Sequence, residues 1–229
     1  MPADSLRDAA FCDVLNRELV CALGCTEPIA VAYAAALASQ TLGCEPDHMD
    51  VACSGNIIKN VKSVVVPNTG GLKGIKAAIA VGIVTGEADR ELEVISSVPA
   101  GRHEEIAAYM ERTPIELVCP DTPRMLDIRL TGWAGGHSAV VHIANNHSNI
   151  VCIEKDGERL LEKPLENSSE SGLTDKSILN LRDILDFAGT VELSRVSGLL
   201  ERQIQYNSAI AEEGLRHDWG ANIGSTLLK

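Results

Sequence analysis

The spacing of hydrophobic residues changes partway along the chain, and the first part follows a helical period. Apolar residues recur every three or four positions up to Leu19, and an alanine-rich run, 29–42, ends at Gly43. A third apolar stretch, 72–84, is likewise followed closely by a glycine. Apolar residues at this spacing, closed by a glycine, are typical of helices. The pattern predicts that residues 1–88 are mainly helical, with one short strand at 49–53.

A second spacing governs the middle of the chain. From Leu126 onward, apolar residues alternate with polar ones, which is typical of strands with one buried face. Asp156-Gly157 is a strong signal for a hairpin turn between two strands. Together with a helical pattern over 102–110, these strands predict a small inserted α/β unit over 89–163 with a mainly antiparallel sheet. The fold class predicted for the whole chain is α+β.

The last part of the chain combines a polar segment with two further helical patterns. Residues 164–172 are polar and rich in serine, which is typical of a linker. Two helical patterns follow, and Thr174 is a candidate N-cap for the first of them. We therefore expect residues 164–229 to be a linker and helices that lead into a C-terminal half outside this sequence.

Composition and charge narrow the classes of partner. Hydrophobic residues make up 45% of the chain but aromatic residues only 3%, so the core must consist of Ala, Val, Ile and Leu. A net charge of −12 without a basic stripe argues against nucleic acids and anionic membranes as partners. No membrane span or secretory signal is evident, and seven cysteines fit a reducing compartment better than a disulfide framework. We expect a cytoplasmic homo-oligomer that binds a small molecule.

The segment Gly24-Cys25-Thr26-Glu27-Pro28 joins two of the helical patterns. Thr26 is a plausible N-cap, and proline is tolerated in the first turn that follows. Free backbone N–H groups at a helix start lower the pKa of a thiol and favour the thiolate. Cys25 is therefore a candidate nucleophile or metal ligand, although a buried structural cysteine explains the spacing equally well.

Two segments offer donors for a small anion. Asn68, Thr69, Gly70 and Gly71 form a glycine-rich loop before a helical pattern, where backbone N–H groups can approach a carboxylate closely. Asn56, in Ser-Gly-Asn, is a second candidate donor. These five residues are the predicted substrate-binding group. The alternative is an ordinary loop that ends one helix and begins another.

Lysines and histidines are the candidates for a catalytic base and for a metal site. Lys59 and Lys62 are three residues apart, so they share a helical face, either as a base and carboxylate partner or as a solvated surface. His137, His142 and His147 suggest a metal site, but the odd separation of the first two places them on opposite faces of one strand. Structural or hydrogen-bonding roles are therefore favoured for the histidines.

Taken together, these motifs resemble the L-cysteine desulfidase family, which is related to the α-chain of iron–sulfur L-serine dehydratases. The matching segments are Gly-Cys-Thr-Glu-Pro-Ile-Ala, Ser-Gly-Asn-Ile-Ile-Lys-Asn, Val-Pro-Asn-Thr-Gly-Gly-Leu-Lys-Gly and Gly-Gly-His-Ser-Ala. The resemblance implies a [4Fe–4S] lyase that converts L-cysteine to pyruvate, ammonia and sulfide. It makes Cys25 a cluster ligand and residues 1–88 the first half of the helical part of the catalytic domain.

The chain departs from that family in length. Members of the family are about twice as long, and their other cluster cysteines lie in a C-terminal half outside this sequence. A cubane cluster needs three or four thiolates, so we expect no cluster and no activity in this chain alone. Two alternatives stay open: an L-serine dehydratase-like amino-acid deaminase, and a non-catalytic module for small-molecule binding or oligomerisation.

Overall fold

The computed structural model describes residues 3–165, 176–218 and 222–228, and it has an α+β fold, as the sequence predicted. The chain divides into two compact units, which are described separately below. The larger unit spans residues 21–172, and the smaller combines residues 1–20 with 173–229. No helix in the described ranges is both long enough and apolar enough to cross a membrane.

The sheet of the larger unit has six strands in the order β2-β1-β3-β4-β5-β6. β1 pairs with β2 in parallel, and the other neighbours are antiparallel, which confirms the mainly antiparallel sheet. Asp156 and Gly157 have φ of 52° and 82° and form the predicted hairpin turn. The strands are β1 (His48–Cys53), β2 (Ile115–Val118), β3 (Asp127–Ala134), β4 (His137–Ala144), β5 (Ile150–Lys155) and β6 (Glu158–Glu162).

One strand of this sheet, β1, comes from residues 1–88, which the sequence predicted as mainly helical. β1 precedes residue 89, yet it lies between β2 and β3 in the sheet. Its register pairs Met49 with Ile115 on one side and with Gly132 on the other. The sheet therefore contains strands from before and after the predicted domain boundary at 88/89. That boundary stays a prediction about the domains of the intact protein.

The helices of the larger unit include one that is buried on nearly all sides. α2 ends at Gly43, which has φ of 92° and donates its N–H to the Ser39 carbonyl at 2.8 Å. Most residues of α2 are buried, since it packs against α4 and against β3 and β4. Its many alanines let neighbouring backbones approach closely. The helices are α2 (Thr26–Leu42), α3 (Gly55–Val61), α4 (Gly74–Thr85) and α5 (His103–Arg112).

The contact between α2 and α4 makes Gly82 a sensitive position. A Cβ at Gly82 would overlap the carbonyl group of Ala32, whose carbon lies 2.9 Å away. Because that neighbour is helix backbone, it has no rotamer to change. We expect Gly82→Ala to lower the free energy of unfolding by about 1–3 kcal/mol or more. Urea unfolding followed by circular dichroism measures this.

The control for this prediction is Gly101→Ala, because an added Cβ at Gly101 has no heavy atom within 4 Å. It is expected to leave the unfolding midpoint nearly unchanged. If both variants unfold at the wild-type urea concentration, the close approach of α2 and α4 is wrong.

The smaller unit consists of helices around a small core. Phe11 and Phe187 meet edge to face with ring centroids 5.2 Å apart, and Cys12 and Val196 are buried beside them. Thr174 and most of the predicted linker lie outside the described residues. The described helices of this unit are α1 (Ala3–Glu18), α6 (Leu181–Thr190), α7 (Ser197–Arg216) and α8 (Ile223–Leu227).

Candidate functional site

Cys25 lies at a sharp corner of the backbone where α2 begins. Gly24 has φ of 108°, a left-handed value that favours glycine, and Cys25 is extended with φ of −61° and ψ of 118°. Cys25 is therefore the N-cap residue, and Thr26, which the sequence suggested for that role, is the first residue of the helix. The Cys25 side chain is exposed, which argues against a buried structural cysteine.

Glu27 connects this corner to α3. The Cys25 thiol donates a hydrogen bond to Oε2 of Glu27 at 3.1 Å, and Nδ2 of Asn60 donates to Oε1 at 3.1 Å. Burial alone would raise the pKa of Glu27, but the hydrogen bonds from Cys25, its own backbone N–H and Asn60 outweigh burial and lower the pKa. The carboxylate is therefore ionised at neutral pH and receives donors from both helices.

The same carboxylate changes the chemistry expected of Cys25. Burial raises the pKa of the Cys25 thiol, and the hydrogen bond to Glu27 raises it further, while the Glu27 backbone N–H lowers it less. The helix start lowers this pKa as predicted, but burial and the hydrogen bond to Glu27 outweigh it, so the net shift of the pKa is upward. A protonated thiol beside a carboxylate is a poor nucleophile, whereas a cation that replaces the proton is favoured by the same charge.

His147 approaches the corner from the sheet. It lies in the turn after β4, is partly buried, and its Nε2 is 3.0 Å from Oγ1 of Thr26. Burial lowers the pKa of His147, and the charge of Glu27 opposes this only in part. The site therefore contains a neutral imidazole next to an ionised carboxylate. The sequence favoured a structural or hydrogen-bonding role for His147. No residue near it in the sequence indicates that this turn reaches α2.

The predicted anion-binding loop is held by its own side chains. Thr69 is buried, and its hydroxyl donates to the Val66 carbonyl at 2.8 Å and accepts from the Leu72 N–H at 3.1 Å. Asn68 donates its amide to the Ile95 carbonyl at 3.0 Å. These side chains fix the loop shape, so the exposed backbone at Gly70 and Gly71 is the part that faces solvent.

The face of α3 distinguishes the two predicted lysines. Asn56 and Asn60 are four residues apart and share the face on which Glu27 is bound. Lys59 is exposed and lies about 60° around the helix from Asn56, at roughly 100° per residue. From Asn60, which binds Glu27, Lys59 lies about 100° around the helix and Lys62, also exposed, about 160°. Lys59 is therefore nearer than Lys62 to the side of α3 that binds Glu27.

An iron–sulfur cluster at this corner would need ligands beyond Cys25. Within the described ranges, no group of three His, Cys, Asp or Glu side chains converges as metal ligands would. The corner offers one thiol together with oxygen and nitrogen groups, whereas a cubane cluster is held by several thiolates. Cys25 would be one ligand of such a cluster, and further thiolates would have to lie beside it.

A cleft of about 520 Å³ lies at the opposite end of α2. It lies between the C-terminal ends of α2 and α4, and it contains none of the predicted site residues. Two of its carboxylates, Glu45 and Glu87, are paired with arginines at 2.6 and 2.8 Å. The cleft is therefore separate from the Cys25 corner, where the candidate chemistry lies. Its polar lining consists of Ser39, Gln40, Cys44, Glu45, Glu87 and Asp89.

The fold and this corner define an α+β protein with an exposed cysteine–carboxylate pair at a helix start. The chain is similar to UPF0597 proteins of Treponema denticola (43% identity over 230 residues), Desulfitobacterium hafniense (45% over 219) and Lachnoclostridium phytofermentans (46% over 216). These alignments cover 94–100% of this chain but 51–53% of the relatives. The chain therefore spans about half the length of the curated relatives it matches. No family model and no solved structure matches the chain.

The geometry of the corner predicts the effect of Glu27→Gln on the reactivity of Cys25. Removing the negative charge is expected to lower the pKa of the thiol, so that its alkylation near neutral pH becomes several times faster. Iodoacetamide labelling of the full chain, read on the Cys25 peptide by mass spectrometry across a pH series, measures the change. Glu45→Gln, an exposed carboxylate paired with Arg112, is the matched control. Equal Cys25 rates in wild type and Glu27→Gln would contradict the prediction.

Proposed function

We propose that the intact protein is an iron–sulfur-dependent lyase resembling L-cysteine desulfidase, with Cys25 as one cluster ligand. The reaction is the β-elimination of sulfide from L-cysteine, which gives pyruvate and ammonia. The observation that supports this most is the exposed Cys25 thiol at the start of α2, 3.1 Å from an ionised carboxylate. A sulfur in that position is accessible to a metal, and the neighbouring charge favours cation binding over a free thiolate.

This chain would bind and orient the amino acid. The substrate carboxylate requires donors, for which we propose the Asn56 amide and the exposed backbone of Gly70 and Gly71. Asn68 and Thr69 support that loop through the hydrogen bonds already described. Each of these groups belongs to α3 or to the loop before α4, and Asn60 on α3 is bound to Glu27.

Elimination also needs a base that removes the Cα proton. Departure of the sulfur from Cβ then gives an aminoacrylate, which water hydrolyses to pyruvate and ammonia. Of the predicted lysines we favour Lys59, because it is nearer the Glu27 face of α3 than Lys62 is. His147 is a second candidate, since its neutral imidazole lies beside Thr26.

The function is tested on the intact protein, produced without oxygen and reconstituted with iron and sulfide. Sulfide and pyruvate release from L-cysteine, at a rate well above that from L-serine, is the expected result. Preferential turnover of L-serine would instead support the amino-acid deaminase. Saturable binding of amino acids without turnover, measured by calorimetry, would overturn the lyase proposal in favour of a binding module.

A further inference from the structure

α7 is a long helix of the smaller unit. Within that unit, Leu200 packs against the small core and Leu215 lies near Gly224 of α8, while most of the helix surface is exposed. The helix has 20 residues and no buried residue, and from residue 201 to its end every side chain is exposed. Ile204 and Ile210 expose 64% and 70% of their surface. Monomeric proteins rarely expose large apolar side chains together, and such patches mark interaction surfaces. The surface needs a covering partner.

The apolar residues of α7 form two stripes. Ile204 and Leu215 lie about 20° apart around the helix, and Tyr206 and Ile210 lie about 40° apart. The second pair is roughly 120° or more from the first around the same helix. A helix that is apolar on more than one side is typically buried between other elements. We call these four residues, Ile204, Tyr206, Ile210 and Leu215, the α7 face, although they lie on two sides of the helix.

The neighbouring helices extend the exposed apolar surface. Leu181 and Leu185 of α6 and Ile223 and Leu227 of α8 are all more than half exposed. The core of this unit, by contrast, has four buried side chains among the described residues: Phe11, Cys12, Phe187 and Val196. Much of the apolar surface of the unit therefore lies outside its own core, as expected of a domain that is completed by further polypeptide.

We propose that the α7 face binds the polypeptide that forms the other half of the full-length relatives. The Treponema denticola relative matches all of this chain, yet the match covers 53% of that protein. The relatives therefore carry a further segment of similar size, large enough to cover several helices. A second copy of this chain is the alternative occupant, and it would give a dimer in sedimentation velocity.

This proposal is independent of the proposed function, and cysteine labelling tests it. The variant Ile210→Cys is alkylated in the full chain alone and in the presence of the complementary segment of the Treponema denticola relative. We expect labelling to slow at least tenfold when the segment is bound. Gln205→Cys, on the polar side of α7, is the control and is expected to react equally fast in both samples.

Two results would overturn the proposal. One is unchanged labelling of Ile210→Cys with the segment present. The other is slow labelling in the chain alone, together with a dimer in sedimentation velocity, which would make a second copy the occupant. If the separate segment does not fold, hydrogen exchange on the full-length Treponema denticola relative decides. The helix aligned with residues 197–216 should be protected there, and rapid exchange along it would reject the proposal.

Discussion

Replacing Cys25 with alanine in the intact protein is expected to abolish sulfide release from L-cysteine and to reduce the iron bound per chain. The side chain is exposed, so its removal leaves no cavity in the core and the fold is retained. The expected losses therefore report on the sulfur itself. Iron content and sulfide release are measured on the same preparation, and circular dichroism confirms folding.

Cys44→Ala is the matched control for this variant. Cys44 is also an exposed cysteine, but it follows the opposite end of α2. Its substitution is expected to leave iron content and turnover unchanged. The pair of measurements also separates two roles of Cys25. A ligand loses iron and turnover together, whereas a nucleophile loses turnover with its iron intact. Full iron and full turnover in Cys25→Ala would refute both roles.

Local patterns predicted the helices and the hairpin, because the signals lie within a few residues of the structure that they specify. Gly43 ends α2 through its own left-handed backbone, and Asp156-Gly157 turns the chain between β5 and β6. The position of β1 was not predictable in the same way. It pairs with strands that begin at residues 115 and 127, and such long-range partners depend on how the whole sheet assembles.

In the candidate site, too, contacts between residues far apart in the sequence were not predictable. Cys25 was identified from its place before a helix, but Asn60 and His147 come from other parts of the chain and carry no local signal of the contact. The net pKa shift of Cys25 was not predictable from the helix start alone. Backbone N–H groups there favour a thiolate, but burial of the thiol and its hydrogen bond to Glu27 raise the pKa by more.

Asp127 illustrates a buried charge whose partners the sequence did not reveal. Its Oδ1 is 2.7 Å from Nε2 of His142, and its Oδ2 accepts hydrogen bonds from Arg124 at 2.6 Å and Thr122 at 3.0 Å. Asp127 and His142 are both buried, on neighbouring strands β3 and β4. At His142 the structure therefore has a buried hydrogen bond to a carboxylate, which is the kind of role that the strand geometry favoured.

Asp127→Ala is expected to lower the free energy of unfolding by about 3–5 kcal/mol, because the buried His142 and the partly buried Arg124 lose their carboxylate. Asp127→Asn retains the shape without the charge and is expected to lose less. Asp50→Ala is the control, since Asp50 is an exposed residue of the same sheet that pairs with His48. That exposed pair is expected to contribute less than about 1 kcal/mol. Urea unfolding at neutral pH compares the three variants.

The same carboxylate should make stability depend on pH. Burial would raise the pKa of Asp127, but the hydrogen bonds from His142 and Arg124 outweigh it and lower the pKa below its ordinary value of 3.8. A lowered pKa means that the carboxylate stabilises the fold fully above the unfolded value, and that this contribution is lost as pH falls through the folded value. Wild type should therefore lose more stability on acidification than Asp127→Asn does. Equal losses would show that the charge of Asp127 does not stabilise the sheet.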